Sequence, residues 1–209
     1  MRVLESIFFT SFPRWITHRG SKAPVTDRSV ATNGWPTAYR ALGLALRHTA
    51  RVILRPARAD EADTLLVIQR EAAVAAFAHV YPPERYPFPD EAIREVWAEA
   101  LADADVEVYV AELDGAAVGA VSVGRGYLST LYVLPAYQGR GVGSALHDLA
   151  LERLRALGFE QARLWTLDGN ASGRRFYERR GWTLTDETRV VPYPPNPLDV
   201  QYAKALDPS

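Results

Sequence analysis

The pattern of apolar and polar positions along this 209-residue chain changes at about Arg51, and we place a domain boundary there. Beyond it, apolar residues that recur every three to four positions predict four helices, beginning near residues 60, 90, 141 and 170. Short β-branched or aromatic runs predict seven strands, at residues 51–56, 106–111, 118–123, 127–133, 162–167, 183–190 and 198–205. The order β-α-α-β-β-β-α-β-α-β-β predicts a mixed sheet with helices on its faces.

Local residue types mark the ends of several of these elements. Asp60 and Asn170 precede apolar-periodic segments and are predicted N-caps. Gly158 and Gly181 are each followed by a large apolar residue, which is typical of a helix C-terminus. The Asp114-Gly115 pair lies between two β-rich runs and predicts a tight hairpin.

Charge is distributed unevenly along the chain. Residues 1–50 carry seven Lys or Arg against two Asp or Glu, whereas residues 51–209 carry seventeen against twenty-three. We expect residues 1–50 to form an N-terminal extension, disordered or partly helical, outside a domain that covers residues 51–209. The acidic body lacks the basic face of a nucleic-acid-binding protein, and no apolar run approaches the roughly 18–20 residues that span a bilayer. A cytoplasmic protein is the default expectation.

The side-chain inventory excludes several kinds of chemistry. The chain contains no cysteine, so disulfides, thiolate nucleophiles and Cys-based zinc sites are all excluded. Its four histidines show no metal-ligand spacing, and we therefore expect no metal.

The segment from residue 131 to 144 carries the most chemical information. A strand that ends in Leu131-Tyr132-Val133 precedes a loop that opens an amphipathic helix, Gln138-Gly139-Arg140-Gly141-Val142-Gly143-Ser144. The first turn of a helix has unpaired N–H groups and a dipole that favours anions. Glycines let an anion approach that backbone closely, and Arg140 adds positive charge. The loop is therefore predicted to hold a phosphate group.

The spacing of the loop separates it from two other phosphate-binding loops. No Lys-Ser/Thr follows the last glycine, as a P-loop requires, and Ser144 stands where the dinucleotide fingerprint needs a third glycine. A strand followed by Gln-x-x-Gly-x-Gly and a helix resembles instead the acyl-CoA pyrophosphate loop of the GNAT superfamily of N-acetyltransferases. Residues 170–182 also resemble that superfamily, in its segment Asn-x-x-(Ala/Gly)-x-x-Phe-Tyr-x-x-x-Gly-(Phe/Trp).

The resemblance implies a fold, a cosubstrate and a set of site residues. The implied GNAT fold is a mixed α/β arrangement with a twisted, mostly antiparallel sheet of about seven strands, splayed between strands 4 and 5 and flanked by about four helices. The implied acyl donor is acetyl-CoA, without a metal, and Tyr177 is implied as the general acid that protonates the leaving thiolate. The implied donor-binding residues are Leu131, Tyr132, Val133, Gln138, Gly139, Arg140, Gly141, Val142, Gly143, Ser144, Asn170 and Tyr177.

The general base departs from the superfamily pattern, in which a carboxylate often lies on the strand before the pyrophosphate loop. That strand, residues 127–133, contains no Asp or Glu here. A water relay, or an amine that arrives neutral, would serve instead, and Glu84 and His79 are weaker candidates.

The acceptor is less defined by the sequence. Two proline-rich loops, residues 81–90 and 192–197, contain aromatic and acidic residues, a combination that suits a cationic amine. Glu84, Tyr81 and Tyr193 are the candidate acceptor-site residues. A small-molecule amine or a protein amino group would serve as acceptor, and the chain is expected to be a monomer or a homodimer.

Three functions remain open at this point. The first is an acetyl-CoA-dependent N-acetyltransferase that acts on a primary amine by direct attack in a ternary complex. The second is a non-catalytic module that binds acyl-CoA as a sensor or partner domain, which the absence of an obvious base favours. The third is a nucleotide-binding enzyme that uses the glycine loop for ATP, which the missing Lys-Ser/Thr disfavours.

Overall fold

A computed structural model describes residues 51–206 of the chain. Its strands are β1 Ile53–Pro56, β2 Val106–Leu113, β3 Ala116–Gly124, β4 Tyr127–Val133, β5 Gln161–Leu167, β6 Thr183–Val190 and β7 Leu198–Ala205. Its helices are α1 Ala62–Phe77, α2 Asp90–Ala102, α3 Val142–Ala156 and α4 Ala171–Glu178. The predicted order of elements is confirmed. The expectations for residues 1–50 lie outside the described residues, and the domain boundary stays a prediction.

The seven strands form one sheet in the order β1-β2-β3-β4-β5-β7-β6. Neighbouring strands are antiparallel except β4 and β5, which run parallel and are joined by a crossover through α3. Parallel neighbours need such a crossover because a tight turn cannot connect them. The mixed, mostly antiparallel sheet of the GNAT prediction is therefore confirmed.

Helices cover both faces of the sheet, as the alternation of side chains along β3 shows. Ala120 packs with Leu65 of α1 and Trp97 of α2, whereas its neighbour Val121 packs with Leu146 of α3. Because successive side chains of a strand point to opposite faces, α1 and α2 lie on one face and α3 on the other. None of the helices within residues 51–206 is long and apolar enough to cross a membrane.

β4 and β5 separate along most of their length. The only residues paired between them are Tyr127 and Arg163, near the start of both strands. Each strand is paired along its other side, β4 with β3 apart from an irregularity at Ser129, and β5 with β7 over its full length. The predicted splay between strands 4 and 5 is present, and it opens a gap in the middle of the sheet.

The predicted element ends are confirmed except at the start of α1. The N-cap of α1 is Glu61, not Asp60, and its side chain makes no capping hydrogen bond. Glu61 is only 3 % exposed, and its carboxylate instead accepts two hydrogen bonds from the Arg55 guanidinium at 2.7 Å and one from the Arg58 N–H at 2.7 Å. The Asp60 prediction is wrong because this buried ion pair fixes the entry to the helix.

The other end signals behave as expected. Asp114 and Gly115 form the hairpin turn with φ of 52° and 79°. The Phe159 N–H donates to the Leu154 carbonyl oxygen at 3.1 Å, the bond typical of a glycine-terminated helix.

Candidate functional site

A cavity of about 640 Å³ occupies the gap between β4 and β5. It is lined from one face of the sheet by Phe77 of α1 and from the other by Ser144 of α3 and Tyr177 of α4, so it passes through the sheet. Ten of the twelve residues predicted to bind the donor line it: Leu131, Tyr132, Val133, Gln138, Gly139, Gly141, Gly143, Ser144, Asn170 and Tyr177. Arg140 and Val142 do not.

The glycine loop delivers unpaired N–H groups to this cavity. Gly141 is the N-cap of α3, with a φ of +86° and no side-chain cap. The first hydrogen bond of the helix runs from the Ala145 N–H to the Gly141 carbonyl oxygen at 3.0 Å. The N–H groups of Val142, Gly143 and Ser144 therefore precede the helical ladder and have no intrahelical partner. The Val142 side chain is buried in the core, which fixes the direction of this first turn.

The end of β4 is held in place by the same loop. The Gln138 side-chain amide donates to the Val133 carbonyl oxygen at 3.1 Å. The Leu134 N–H donates to the Val118 carbonyl oxygen on the β3 side at 2.9 Å. Because backbone groups of successive strand residues alternate between the two edges, Leu131 and Val133 turn theirs away from β3 and toward the gap. Tyr132 contributes to the lining with its side chain.

Positive charge at the start of α3 comes from a residue that the sequence reasoning missed. The Arg140 guanidinium stacks over the Tyr137 ring, 5.3 Å from its centroid, and lies outside the cavity lining. Arg180 lines the cavity, donates to the Ser144 hydroxyl, and lies 3.7 Å from the centroid of the Phe176 ring. The only signal in the sequence was the spacing of four residues between Phe176 and Arg180.

Asn170 confirms its predicted capping role. Its side-chain oxygen accepts from the Gly173 N–H at 3.0 Å, and its side-chain amide donates to the Thr166 hydroxyl at 2.9 Å. A Cβ at residue 173 would lie 2.3 Å from that amide nitrogen, so the glycine is required for the cap to close. The start of α4 is thereby tied to β5, on the wall of the cavity.

Tyr177 lies in an aromatic cluster and lines the cavity. Its ring packs edge-on against Phe176 and Trp182, with centroids 5.3 Å and 5.9 Å away. Within residues 51–206 no hydrogen bond to the Tyr177 hydroxyl is present. Burial raises the pKa of Tyr177 well above its ordinary value, so the phenol stays protonated at neutral pH.

A buried histidine supports this cluster from behind. His147 is 2 % exposed, and its Nε2 accepts from the Trp182 indole N–H at 2.9 Å. Its Nδ1 lies 2.9 Å from a carboxylate oxygen of Asp148, which fits a neutral ring that donates through Nδ1. Burial lowers the pKa of His147, against the opposing effect of Asp148.

The predicted acceptor-site residues do not line the cavity. Glu84 is exposed, whereas the Tyr81 and Tyr193 rings pack together with centroids 5.8 Å apart. These two tyrosines form a cluster with Leu167 and Val191, both of which line the cavity. The aromatic cluster therefore supports the cavity wall. His79, the other candidate base, is exposed, and its Nε2 lies 3.2 Å from the Gly169 carbonyl oxygen.

Asp199 is the second lining residue that the sequence reasoning missed. It lies on β7 and is 6 % exposed. Within residues 51–206 it is the only residue with a carboxylate that lines the cavity. The Arg189 guanidinium donates to Asp199 Oδ2 at 2.9 Å and 3.1 Å. Burial raises the pKa of Asp199, and the pairing with Arg189 opposes that rise.

Comparison with known proteins identifies the family. Residues 72–182, more than half of the chain, match the family model described as "Acetyltransferase (GNAT) family". The chain belongs to the GNAT acetyltransferase family. The resemblance drawn from the glycine loop and the Phe-Tyr segment is confirmed.

Relatives of known sequence or structure agree with the GNAT assignment. The chain is 45 % identical over 58 residues to a mycothiol acetyltransferase of Beutenbergia cavernae (28 % of this chain, 20 % of that protein). It is 37 % identical over 81 residues to an uncharacterized N-acetyltransferase of Archaeoglobus fulgidus (34 % of this chain, 55 % of that protein). The chain thus spans between a fifth and about half of these curated relatives.

A solved structure shows the same fold over a larger share of the chain. The PaiA N-acetyltransferase of Thermoplasma acidophilum, solved in complex with coenzyme A, superposes with a TM-score of 0.60 at 20 % identity. The match covers 74 % of this chain and 99 % of that one. At this identity the likeness shows the GNAT fold alone.

Proposed function

We propose that this GNAT-family protein transfers an acetyl group from acetyl-CoA to a primary amine, by direct attack within a ternary complex. The observation that carries the proposal is the cavity between β4 and β5, with the unpaired amides at the start of α3 on one side and Tyr177 on its wall. Coenzyme A in the Thermoplasma acidophilum structure supports the choice of donor. A small-molecule amine or a protein amino group is the acceptor.

The start of α3 is suited to hold the diphosphate of the donor. Its N–H groups at Gly143 and Ser144 have no intrahelical partner, and the helix dipole adds a partial positive charge there. Arg180 places a full positive charge beside Ser144. Backbone groups of Leu131 and Val133 face the gap, where an extended donor arm would replace the missing partner strand.

Tyr177 is suited to protonate the thiolate that leaves. A thiol has a reference pKa of about 8.5, and the buried phenol of Tyr177 has a raised pKa and stays protonated in the pH range in which the thiolate would form. A proton donor of this kind contributes by hydrogen-bonding the developing negative charge on sulfur as the C–S bond breaks. Amides of β4 at the gap would polarise the thioester carbonyl.

Calorimetry with acetyl-CoA tests the donor site. We expect the parent to bind acetyl-CoA and Gly141→Glu to abolish binding, because a carboxylate would stand where the diphosphate lies. Gly115→Glu is the matched control, since Gly115 also has a positive φ and open space but lies in the remote β2–β3 turn. A parent that does not bind acetyl-CoA, or a Gly141→Glu variant that binds it normally, contradicts the proposal.

Release of free thiol separates the enzyme from its alternative. β4 carries no carboxylate, and this observation favours a non-catalytic acyl-CoA-binding module as the second candidate. An acetyltransferase releases free coenzyme A when a suitable primary amine is added. Binding of acetyl-CoA without thiol release across a broad screen of amines would favour the module.

A further inference from the structure

The cavity carries opposite charges at its two ends. Arg180 is the only cationic side chain that lines it within residues 51–206, and it lies beside Ser144 at the start of α3. Asp199 is the only anionic side chain that lines it within the same residues. The first end suits the diphosphate of the donor, and the second therefore suits a cation.

Asp199 lies on the face of the sheet opposite to α3. It pairs with Leu167 of β5, whose side chain packs with Phe77 and Tyr81 from α1 and the loop that follows it. The next residue, Val200, packs instead into the core cluster that contains α3 residues. Donor and acceptor can therefore approach the gap from opposite faces, with the carboxylate on the acceptor side.

The carboxylate, and not its partner cation, is the part of the ion pair that faces the cavity. Both Arg189 hydrogen bonds reach Oδ2 of Asp199, and no hydrogen bond to Oδ1 is present within residues 51–206. Arg189 stacks over Trp165, 4.3 Å from the ring centroid, and is not a lining residue. Oδ1 thus remains as an acceptor for a ligand.

Two aromatic residues that line the cavity lie on the same face of the sheet as Asp199. Phe77 packs with Leu167, the partner of Asp199 on β5, and Trp165 lies two positions before Leu167, so its side chain points to the same face. Aromatic faces attract organic cations. A primary ammonium group offers three N–H donors, so one can reach Oδ1 while the alkyl group contacts the rings.

We propose that Asp199 binds the ammonium group of the acceptor and takes its proton, which makes it the general base that β4 lacks. The inference rests on the proposed acetyl transfer. The ammonium gives one proton to Oδ1, and the neutral amine forms a C–N bond to the acetyl carbon as the C–S bond breaks. The thiolate takes the proton of Tyr177, and the second amine proton restores Tyr177. The products are the amide, free coenzyme A and protonated Asp199, which returns its proton to solvent.

The groups around Asp199 favour this role. Burial raises the pKa of its carboxyl, which makes it a stronger base than an exposed aspartate, and Arg189 on β6 opposes this effect. The Tyr81 phenol, from the loop after α1, interacts electrostatically with Asp199, and Tyr127 on β4 does so with Arg189. Burial raises the pKa of Tyr81, so its phenol stays neutral at pH 7, and the charge that acts on Asp199 comes from Arg189.

The test compares Asp199→Asn with the parent on three cationic probes: 2-phenylethylamine, n-butylamine and spermidine. We expect kcat/KM at pH 7 to fall about a hundredfold or more, the effect typical of losing a general base. The loss should shrink by up to about tenfold per pH unit toward pH 9, because an amine with a pKa near 10 becomes neutral in solution. Asp186→Asn, an exposed aspartate on the neighbouring strand β6, is the matched control and should match the parent.

Further measurements separate this role from a purely structural one. Asp199→Asn removes the carboxylate that pairs with Arg189, so the double variant Asp199→Asn/Arg189→Gln, which removes both charges, is assayed beside it. Both variants should bind acetyl-CoA as the parent does and show the same pH-dependent loss. Unchanged kcat/KM, a loss that is independent of pH, or a parent that binds acetyl-CoA but acetylates none of the probes overturns the role of Asp199. A parent that does not bind acetyl-CoA overturns the proposed function itself.

Discussion

Gly141 and Gly158 stand at opposite ends of α3 with nearly the same φ, +86° and +85°. A Cβ added at either position would meet no atom within 4 Å. Alanine therefore introduces left-handed strain at both positions and no steric clash at either. Only Gly141 lines the cavity, and the pair separates the effect of strain from the effect on donor binding.

The loss of stability follows from the left-handed backbone. An L-residue in this conformation costs about 1–2 kcal/mol, and alanine returns about 0.4–1 kcal/mol by restricting the unfolded chain. The expected net loss is about 1 kcal/mol for each variant. For a domain of this size that lowers Tm by roughly 2–4 °C, measurable by thermal unfolding without ligand.

The loss of donor affinity is expected at Gly141 alone. Relief of strain at residue 141 tilts the first turn of α3 and displaces the N–H of Gly143, a residue that lines the cavity at the proposed diphosphate site. A hydrogen bond to a charged group contributes about 1.5–3 kcal/mol, so one lost bond weakens binding of coenzyme A by about 10- to 150-fold. Calorimetry on Gly141→Ala, Gly158→Ala and the parent measures this difference directly.

Two outcomes would refute this reasoning. If Gly141→Ala binds coenzyme A as tightly as the parent, the amides at the start of α3 do not hold the diphosphate. If Gly158→Ala loses as much affinity as Gly141→Ala, general destabilisation explains both results. Equal losses of Tm with unequal affinities are the expected pattern.

Three further predictions concern single side chains. Tyr177→Phe should lower kcat by roughly ten- to a hundredfold with little change in coenzyme A affinity; an unchanged kcat removes Tyr177 from the catalytic role. Because the pKa of His147 is lowered, its contribution to stability is complete above about pH 6.5 and is lost as the pH falls below that value. His147→Gln should therefore flatten the Tm–pH curve below about pH 6.5. A parent Tm that stays constant from pH 7 to 5 contradicts this prediction. The hydrogen bonds from Arg55 are the largest cause that lowers the pKa of Glu61, to about 2, so its contribution is complete above about pH 4.5 and is lost as the pH falls toward 2. Glu61→Gln should therefore cost about 1–3 kcal/mol at pH 7 and much less near pH 2 by urea unfolding, and an equal cost at both pH values is the contrary result.

Features that depend on neighbouring residues were predictable from the sequence. The Asp114-Gly115 turn, the Asn170 cap and the glycine ends of α3 and α4 are each formed within a few residues. The Asp60 prediction failed because Glu61 pairs with Arg55, which itself bonds Glu112 on the neighbouring strand. That contact exists only once the sheet has formed.

The candidate site divides in the same way. The glycine loop and the segment around Tyr177 are contiguous in sequence, so their motifs could be recognised. Arg180 reaches Ser144 across 36 residues, and Asp199 reaches the cavity because β7 lies beside β5. Neither contact follows from a periodic pattern in the sequence. The search for a general base considered β4, whereas the proposed base lies on β7, the second strand from β4 in the sheet.

The divergence of β4 from β5 explains why one gap can serve both substrates. Each strand is hydrogen-bonded along its outer edge, to β3 or to β7, and only one residue pair joins them. The backbone groups on the two inner edges consequently lack strand partners, and buried backbone polar groups must find partners elsewhere. An extended donor arm can satisfy the β4 edge from the face that carries α3. On the opposite face the cavity is lined by Trp165, Phe77 and Asp199. The proposed amine would approach from that face, and the sheet itself would then set the direction of attack.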